Sequence, residues 1–261
     1  MQLLAVESMD NPELSIYKVL RDNVLSADQS FIADSPKVVN LLLETEIEVK
    51  SILATQEYYD SFKDLIQRKK IPNLYLATKE QMQSIVGHKI HHNCMMHGIR
   101  PRPSDFEDLG NEVIMLDEIT STENIGAIAR SAAALGVDSY VLPKQGPHPY
   151  GRRALRVSMG YMSHLKSYLY DDIKETIKAF QKRAYKVYAA EVADDAIALS
   201  DLVPSQKWVL IMGHEGKGIS QDILDLCDAC VQIEMAAEVK SFNVGVAASI
   251  LMYQFQNRAK I

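Results

Sequence analysis

Apolar and polar positions alternate along the first hundred residues in a pattern that predicts strands interleaved with helices. Short apolar runs predict strands at 30–34, 49–54 and 73–77. Apolar residues at helical spacing, including Leu14, Tyr17, Val19, Leu20 and Val24, predict a first helix over 13–30. Further helices are predicted at 36–43, 57–69 and 79–86. The alternation predicts a small α/β domain with its own core at residues 1–100.

Two of these helices carry start signals in the sequence. Ser35 precedes Pro36, and proline is favoured at the first helical position because it lacks the N–H that this position leaves unpaired. Thr78 is followed three residues later by Gln81, the spacing of a reciprocal capping box. The pattern then stops between His97 and Asn111, where proline, glycine and charged residues predominate. We place an interdomain linker at 101–111.

A second alternation of strands and helices begins after the linker. Asn124 is interpreted as the N-cap of a helix of mostly small residues that closes at Gly136. Repeated strand–helix units predict a parallel sheet covered on both faces, which we assign to a domain at 112–261. The predicted strands are 113–116, 138–142, 165–169, 185–189, 208–212 and 229–233, and the predicted helices are 125–135, 152–157, 171–183 and 243–256.

The composition fits a soluble globular protein, with 47% hydrophobic and 24% charged residues. No apolar run is long enough to span a membrane, and the start lacks the basic and apolar segments of a signal peptide. Three cysteines do not form a disulfide framework, which favours a cytoplasmic protein. The net charge of −6 argues only mildly against nucleic acid. Positive charge is concentrated at Arg68–Lys70, Arg100, Arg102, Arg152, Arg153, Arg156 and Lys166.

Polar side chains of the second domain gather where predicted strands end, and ligands of open α/β sheets bind at the carboxyl ends of strands. They are Asn124, Arg130, Glu215, Ser241 and Asn243. Three glycines in 213–218 allow backbone to approach a ligand, although a tight turn would use the same residues. Neither a Walker phosphate loop nor the dinucleotide-binding fingerprint is present, so a dinucleotide enzyme is disfavoured.

Arg130 lies within an otherwise small and apolar helical stretch. Arginine is seldom buried without a partner, so it either pairs with an acid such as Glu215 or faces a ligand. The sequence leaves both interpretations open.

Three segments in order resemble the motifs of the SpoU (TrmH) family of RNA ribose methyltransferases. They are Asn124–Gly136, Met212–Gly218 and Ile233–Ala248, and Val157–Gly160 also resembles that family. The amino-terminal part is similar to the ribosomal-protein-like substrate-binding domain often fused ahead of the catalytic domain. The resemblance implies a SPOUT fold, in which a parallel α/β sheet ends in a carboxyl-terminal trefoil knot. It also implies a homodimer.

The resemblance further implies a cofactor and a reaction. S-adenosyl-L-methionine would bind at Gly213, Ile233, Met235 and Phe242. Its methyl group would pass to a ribose 2′-hydroxyl of ribosomal or transfer RNA. The implied catalytic set is Asn124, Arg130, Glu215, Ser241 and Asn243.

The role of Arg130 in that set has two versions. The resemblance places it nearest the attacking oxygen as a base, but arginine is effectively always protonated. A residue that contacts RNA phosphate and stabilises the forming alkoxide is physically easier. Ser241 and Asn243 have a structural alternative, because both residue types cap helices and the closing helix is predicted to begin at 243.

Four residues depart from the family pattern: Glu234 replaces proline, Ala237 glycine, Phe242 leucine and Gly245 serine. Glu234 adds a charge near the cofactor loop, and Phe242 adds bulk. These departures motivate an alternative function, a non-catalytic RNA-binding or ribosome-assembly protein that retains the fold. A metal site is not expected, because neither His91, His92, Cys94 and His97 nor Cys227 and Cys230 has a second ligand pair at zinc-site spacing.

Overall fold

The computed structural model describes residues 1–8, 10–19 and 28–258, which form two compact units. One unit comprises Met1–Arg102 with His148–Ser163, and the other comprises Pro103–Pro147 with His164–Ile261. Residues 148–163, predicted from the sequence to belong to the second domain, lie in the first unit. Leu20 and Val24 of the predicted first helix lie outside the described residues.

The first unit is built on a five-stranded mixed sheet in the order β1-β4-β3-β5-β2. Strands β1, β4 and β3 are parallel, and β5 runs antiparallel to both β3 and β2. The elements in chain order are β1 (Gln2–Ala5), α1 (Ser15–Val19), β2 (Ser30–Asp34), α2 (Pro36–Leu43), β3 (Val49–Ala54), α3 (Gln56–Arg68), β4 (Asn73–Leu76), α4 (Lys79–Val86) and β5 (Cys94–Ile99).

The predicted helix starts are found, with one difference. Thr78 and Gln81 form the capping box, with both reciprocal hydrogen bonds present, so this prediction is confirmed. Pro36 occupies the first turn of α2, but Ser35 has a φ of 79° and its side chain makes no capping hydrogen bond. The start of α2 therefore depends on the proline rather than on the serine hydroxyl.

Strand β5 corrects the prediction that the pattern is irregular from His97 onward. Cys94, Met95 and Met96 are almost fully buried, and the strand lies between β3 and β2. The two residues that hid it from a pattern search are His97 and Gly98. The imidazole of His97 is satisfied by the Ser30 hydroxyl, with Nε2 2.7 Å from Oγ, so a polar residue is accommodated inside the sheet.

The second unit contains a seven-stranded, all-parallel sheet in the order β10-β12-β9-β11-β6-β7-β8. The remaining elements in chain order are β6 (Glu112–Leu116), α5 (Thr122–Leu135), β7 (Ser139–Pro143), α6 (Arg152–Val157, in the first unit), β8 (Lys166–Tyr170), α7 (Ile173–Lys182), β9 (Lys186–Ala190), β10 (Ile197–Ala198), β11 (Trp208–Met212), α8 (Gln221–Leu224), β12 (Ala229–Gln232) and α9 (Val244–Arg258).

The predicted parallel sheet is present, because apolar residues fill the central strands without alternation. Val113, Met115, Val187, Val209 and Ile211 are fully buried in one core cluster. Two short elements, β10 and α8, had no periodic signal. Every helix within the described ranges is too short or too polar to cross a lipid bilayer.

The start of α5 differs from the prediction. Ser121, not Asn124, is the N-cap: its hydroxyl accepts a hydrogen bond from the backbone N–H of Asn124, and Thr122 is the first helical residue. Asn124 therefore lies inside the first turn, which frees its side-chain amide for other contacts. Gly136 ends the helix as predicted, with a φ of 80°.

Candidate functional site

A cavity of about 600 Å³ opens at the carboxyl ends of β9, β11 and β12 in the second unit. Two segments form most of its wall: residues 213–220 after β11, here called the first loop, and residues 233–243 after β12, here called the second loop. The volume lies within the range of sites that enclose a small-molecule ligand. Seven of the residues predicted from the sequence line it: Gly213, Glu215, Ile233, Met235, Ser241, Phe242 and Asn243.

The first loop folds back on itself through backbone contacts and one imidazole. A Cβ on Gly213 would lie 2.8 Å from the carbonyl carbon of Gly218, so only glycine fits there. The Gly218 N–H donates to the carbonyl of His214 at 2.9 Å. Nδ1 of His214 accepts from the N–H of Gly216 at 2.9 Å and of Lys217 at 3.2 Å. The loop is thus a closed turn whose shape depends on an unprotonated Nδ1 on His214.

Glu215 ties the first loop to the amino end of α5. Its carboxylate accepts hydrogen bonds from the backbone N–H of Thr120 at 3.2 Å and of Ser121 at 3.1 Å, and from Nδ2 of Asn124 at 2.9 Å. Partial burial acts to raise the pKa of Glu215, but these hydrogen bonds outweigh it and the pKa is lowered. The positive end of the α5 dipole also favours a carboxylate in this position. Glu215 is therefore held ionised and in a fixed orientation.

The polar contacts continue from Asn124 to the start of α9. Asn243 donates from Nδ2 to Oδ1 of Asn124 at 3.1 Å. Its own Oδ1 accepts from the N–H of Gly245 at 2.9 Å and of Val246 at 3.3 Å, which caps α9. The capping alternative thus holds for Asn243. Ser241, in contrast, is exposed, lines the cavity and makes no hydrogen bond to any described residue.

Arg130 is exposed on α5 and does not line the cavity. The α5 residues that face inward are Ile125, Ile128, Ala129 and Ala132, all buried. The structure does not pair Arg130 with Glu215, and no described carboxylate lies within ion-pair distance of it. Its guanidinium therefore remains available to a ligand outside the chain's own core.

Of the departures from the family pattern, Phe242 lines the cavity and Glu234 does not. Glu234 is exposed and absent from the lining, and its carboxylate accepts from the N–H of Ser200 at 3.2 Å. Hydrogen bonding by Ser200, first through its side chain, lowers the pKa of Glu234. Phe242 lines the cavity and is 41% exposed. The charge of Glu234, which was expected beside the cofactor, thus lies outside the cavity.

Gly245, a third departure, is accounted for by helix packing. A Cβ at Gly245 would lie 3.3 Å from the Cβ of Ala127 on α5, tighter than ordinary contact. The hydroxyl of Ser249 donates to that of Ser131 at 2.8 Å between the same two helices. Small residues let α5 and α9 pack closely and keep Asn124 within reach of Asn243.

Among the lining residues that were not predicted as site residues are two that shape the first loop, His214 and Glu191. His214 lies inside the motif Met212–Gly218, and its ring nitrogen can accept hydrogen bonds from the amides that follow it, which is the signal that could have identified it. Glu191 directly follows β9, so the rule that functional residues gather at strand ends could have identified it. Its carboxylate accepts from the N–H of Ile219 at 2.8 Å.

A buried carboxyl group lies close to His214 without lining the cavity. Asp117 follows β6, is 7% exposed, and its backbone N–H donates to the carbonyl of Met212 at 2.9 Å. Burial, with smaller contributions from Glu118 and Asp222 and an opposing one from His214, raises the pKa of Asp117 to about 6. Ionising this group costs free energy that the fold must offset.

No group of three or more His, Cys, Asp or Glu side chains within the described residues is arranged to hold a metal ion. Cys94 is buried, and Cys227 and Cys230 are partly buried. Burial raises the pKa of the Cys227 thiol to about 12, which disfavours the thiolate that a metal would need.

The chain resembles known proteins both in sequence and in structure. The profile of the SpoU rRNA Methylase family matches residues 111–253. A putative TrmH family tRNA/rRNA methyltransferase of Staphylococcus haemolyticus is 32% identical over 142 residues, which cover 54% of this chain and 57% of that protein. A protein of the same description from Staphylococcus aureus is 30% identical over 142 residues, with the same coverage. The chain thus spans a little over half the length of these relatives.

The solved structures extend the likeness to nearly the whole chain. An AdoMet-bound rRNA methyltransferase from Sinorhizobium meliloti superimposes with a TM-score of 0.83 at 20% identity, covering 98% of each chain. The SpoU methyltransferase AviRb from Streptomyces viridochromogenes gives a TM-score of 0.82 at 19% identity, covering 96% of this chain and 98% of that one. At these identities the likeness establishes the shared fold.

Proposed function

The chain belongs to the SpoU rRNA Methylase family, and on that premise we propose that it is an RNA methyltransferase that uses S-adenosyl-L-methionine. We propose further that the acceptor is a ribose 2′-hydroxyl in structured ribosomal or transfer RNA. The observation that carries the proposal is the cavity at the carboxyl ends of β9, β11 and β12, whose wall includes both motif loops.

The residues of this cavity fit the cofactor. The absent Cβ of Gly213 lets the first loop close against Gly218, and Gly213 itself lines the cavity, so its backbone groups can contact a ligand. Ile233, Met235 and Phe242 supply apolar surface suited to an adenosyl group, and the volume is adequate. When bound, S-adenosyl-L-methionine supplies an electrophilic methyl group, so the protein's own tasks are alignment and stabilisation of charge.

The polar residues divide into a fixed set and a free one. Glu215, Asn124 and Asn243 are committed to one another and to backbone groups, so we assign them to positioning the cavity loops. Glu215 is a poor proton acceptor, because the hydrogen bonds to its carboxylate lower its pKa. Ser241 makes no hydrogen bond to any described residue and faces the cavity, so it can contact the ribose or the cofactor.

Arg130 is assigned to contact with RNA. It is exposed on α5, and a guanidinium is protonated at all ordinary pH values. It therefore neutralises a phosphate or the forming alkoxide and does not abstract a proton.

We extend the proposal to assembly and substrate binding. Val246 and Tyr253, seven residues apart on one side of α9, are 48% and 61% exposed, and this surface suits the homodimer that the family resemblance implies. We assign RNA binding to the first unit together with Arg130. The trefoil knot and the cytoplasmic location remain predictions of the sequence analysis.

The non-catalytic alternative rested on Glu234 and Phe242 closing the cofactor site. Glu234 points away from an open cavity, which favours the enzyme. The test is calorimetric titration of the protein and of Arg130→Ala with S-adenosyl-L-methionine, followed by detection of ribose methylation in RNA. We expect both proteins to bind the cofactor and only the unmodified one to methylate RNA efficiently. Failure of both to bind would leave the non-catalytic alternative in place.

A further inference from the structure

Glu191 lies where the three strands of the cavity end side by side. It directly follows β9, and β9 lies between β12 and β11 in the sheet. The backbone N–H of Glu191 donates to the carbonyl of Val231 at 3.2 Å, and its carbonyl accepts from Sγ of Cys230 at 3.4 Å. The main chain of Glu191 is therefore fixed to the β12 side of the cavity.

The side chain of Glu191 reaches the opposite side. Oε2 accepts from the N–H of Ile219 at 2.8 Å, and Oε1 accepts from the N–H of Val192 at 3.1 Å. Ile219 is 5% exposed and lies in the first loop just after Gly218. A carboxylate that accepts from a partly buried amide makes one of the stronger hydrogen bonds in proteins. One residue thus joins the β12 side of the cavity to the loop after β11.

Gly218 is shaped by the same contact. Its φ of +66° lies in the left-handed region, and a Cβ there would come within 2.9 Å of the Glu191 carboxyl carbon. Any other residue at 218 would displace the carboxylate from Ile219. The last glycine of the motif therefore leaves room for an acidic side chain that lies outside the motif.

We propose that Glu191 is a positioning residue, which holds the first loop in the conformation that receives the cofactor, with Gly218 as its steric counterpart. The identity of the ligand rests on the proposed function, whereas the contacts of Glu191 are those of the free protein. Glu191 lines the cavity as well, so loss of its carboxylate changes the wall and the loop together.

The experiment compares Glu191→Ala, Glu191→Gln and a matched control, Asp194→Ala, which removes the same charge from an exposed site three residues away. Amide hydrogen exchange on the free protein reports whether the Ile219 N–H is held. Calorimetry with S-adenosylhomocysteine, the demethylated form of the cofactor, reports the consequence for binding. Thermal melting separates both effects from general unfolding.

For Glu191→Ala we expect about ten-fold faster exchange at Ile219 and about ten-fold weaker binding, the loss that one charged hydrogen bond supports. Glu191→Gln keeps a carbonyl oxygen for the Ile219 N–H, so its affinity should return to within about three-fold of the unmodified protein. Asp194→Ala should match the unmodified protein in both measurements.

Unchanged exchange at Ile219 in Glu191→Ala would overturn the inference, as would faster exchange with unchanged affinity. If the unmodified protein binds no S-adenosylhomocysteine, the proposed function fails. The exchange experiment on the free protein then still decides whether Glu191 holds the loop.

Discussion

The two loops that face each other across the cavity are held in opposite ways. The first loop is fixed by the imidazole of His214, by the contacts of Glu215 with α5 and by Glu191. The second loop has few such contacts: residues 236–242 are all exposed, and the Val239 N–H to Ala236 carbonyl bond, 2.9 Å, is its one internal backbone hydrogen bond within the described chain. One wall of the cavity is preformed, and the other is free to adapt to a ligand.

Glycine content would suggest the reverse. The first loop contains Gly213, Gly216 and Gly218, whereas 233–243 contains no glycine. In the first loop, glycine removes side chains that would block close backbone contacts, and those contacts then fix the chain. In the first loop, glycine allows a compact, hydrogen-bonded turn. The difference between the two loops therefore follows from their numbers of hydrogen bonds and not from their glycine content.

The largest effect on the first loop is expected from substitution of Glu215. Glu215→Ala removes the acceptor for Thr120, Ser121 and Asn124. We expect it to raise the activation free energy of methyl transfer by about 2–3 kcal/mol, which slows the reaction roughly a hundred-fold. Glu215→Gln is the control, because it keeps an oxygen for some of these donors and should lose less. Methyl transfer from radiolabelled cofactor measures the effect. Equal activity in all three proteins would mean that the first loop is not held from α5.

A smaller effect is expected from substitution of His214, in the same loop. His214→Leu leaves the Gly216 and Lys217 amides without their acceptor and should weaken cofactor binding by about ten-fold. His214→Asn should retain binding, since its Oδ1 can accept from the amide two residues on, as in an Asx-turn. Calorimetry distinguishes the two. If the leucine variant binds as tightly as the asparagine variant, the imidazole does not shape the loop.

Asn243 tests the junction of the second loop with α9. Asn243→Ala removes the cap from Gly245 and Val246, which should cost about 1 kcal/mol and lower the Tm by roughly 2–4 °C. Asn243→Ser restores a capping hydroxyl but not the contact with Asn124, and should recover most of the Tm. Differential scanning calorimetry supplies the comparison. A serine variant as unstable as alanine would place the loss in the Asn124 contact.

The smallest effect is expected at Glu234. Its carboxylate is exposed and contacts Ser200 outside the cavity, so Glu234→Ala should change cofactor affinity by less than about two-fold and stability by less than about 0.5 kcal/mol. Glu234→Gln serves as the neutral control of the same size. A large loss of affinity in the alanine variant would show that the second loop is also held in place, which would remove the contrast.

The sequence predicted the regular elements where apolar runs were continuous. Strands β2, β3 and β11 have the predicted bounds, since all their residues except Lys50 are buried. Strand β5 was not predicted, because His97 finds its partner, Ser30, on another strand, and no local pattern reveals that. Ser121 and Asn124 are both good N-caps, so the sequence alone could not choose between them.

The site was predictable as a set of residues but not as a geometry. Motif residues identify Glu215, Asn124 and Asn243, and their hydrogen-bonded chain follows only once α5 and α9 are packed. The exposure of Arg130 depends on which side of α5 faces the sheet. Glu191 requires the strand order β12-β9-β11, which rests on contacts between residues far apart in the chain.

The same strand order has a consequence for how the chain acquires its structure during synthesis. Strand β9 pairs with β11 and β12, both of which follow it in the chain, and β11 also completes the open side of β6. Until residues 208–212 leave the ribosome, β9 has no partner and β6 presents an unpaired edge, the arrangement that invites aggregation. The sheet of the second unit and the cavity are thus complete only after the last strands have been made, so the binding site forms late in synthesis.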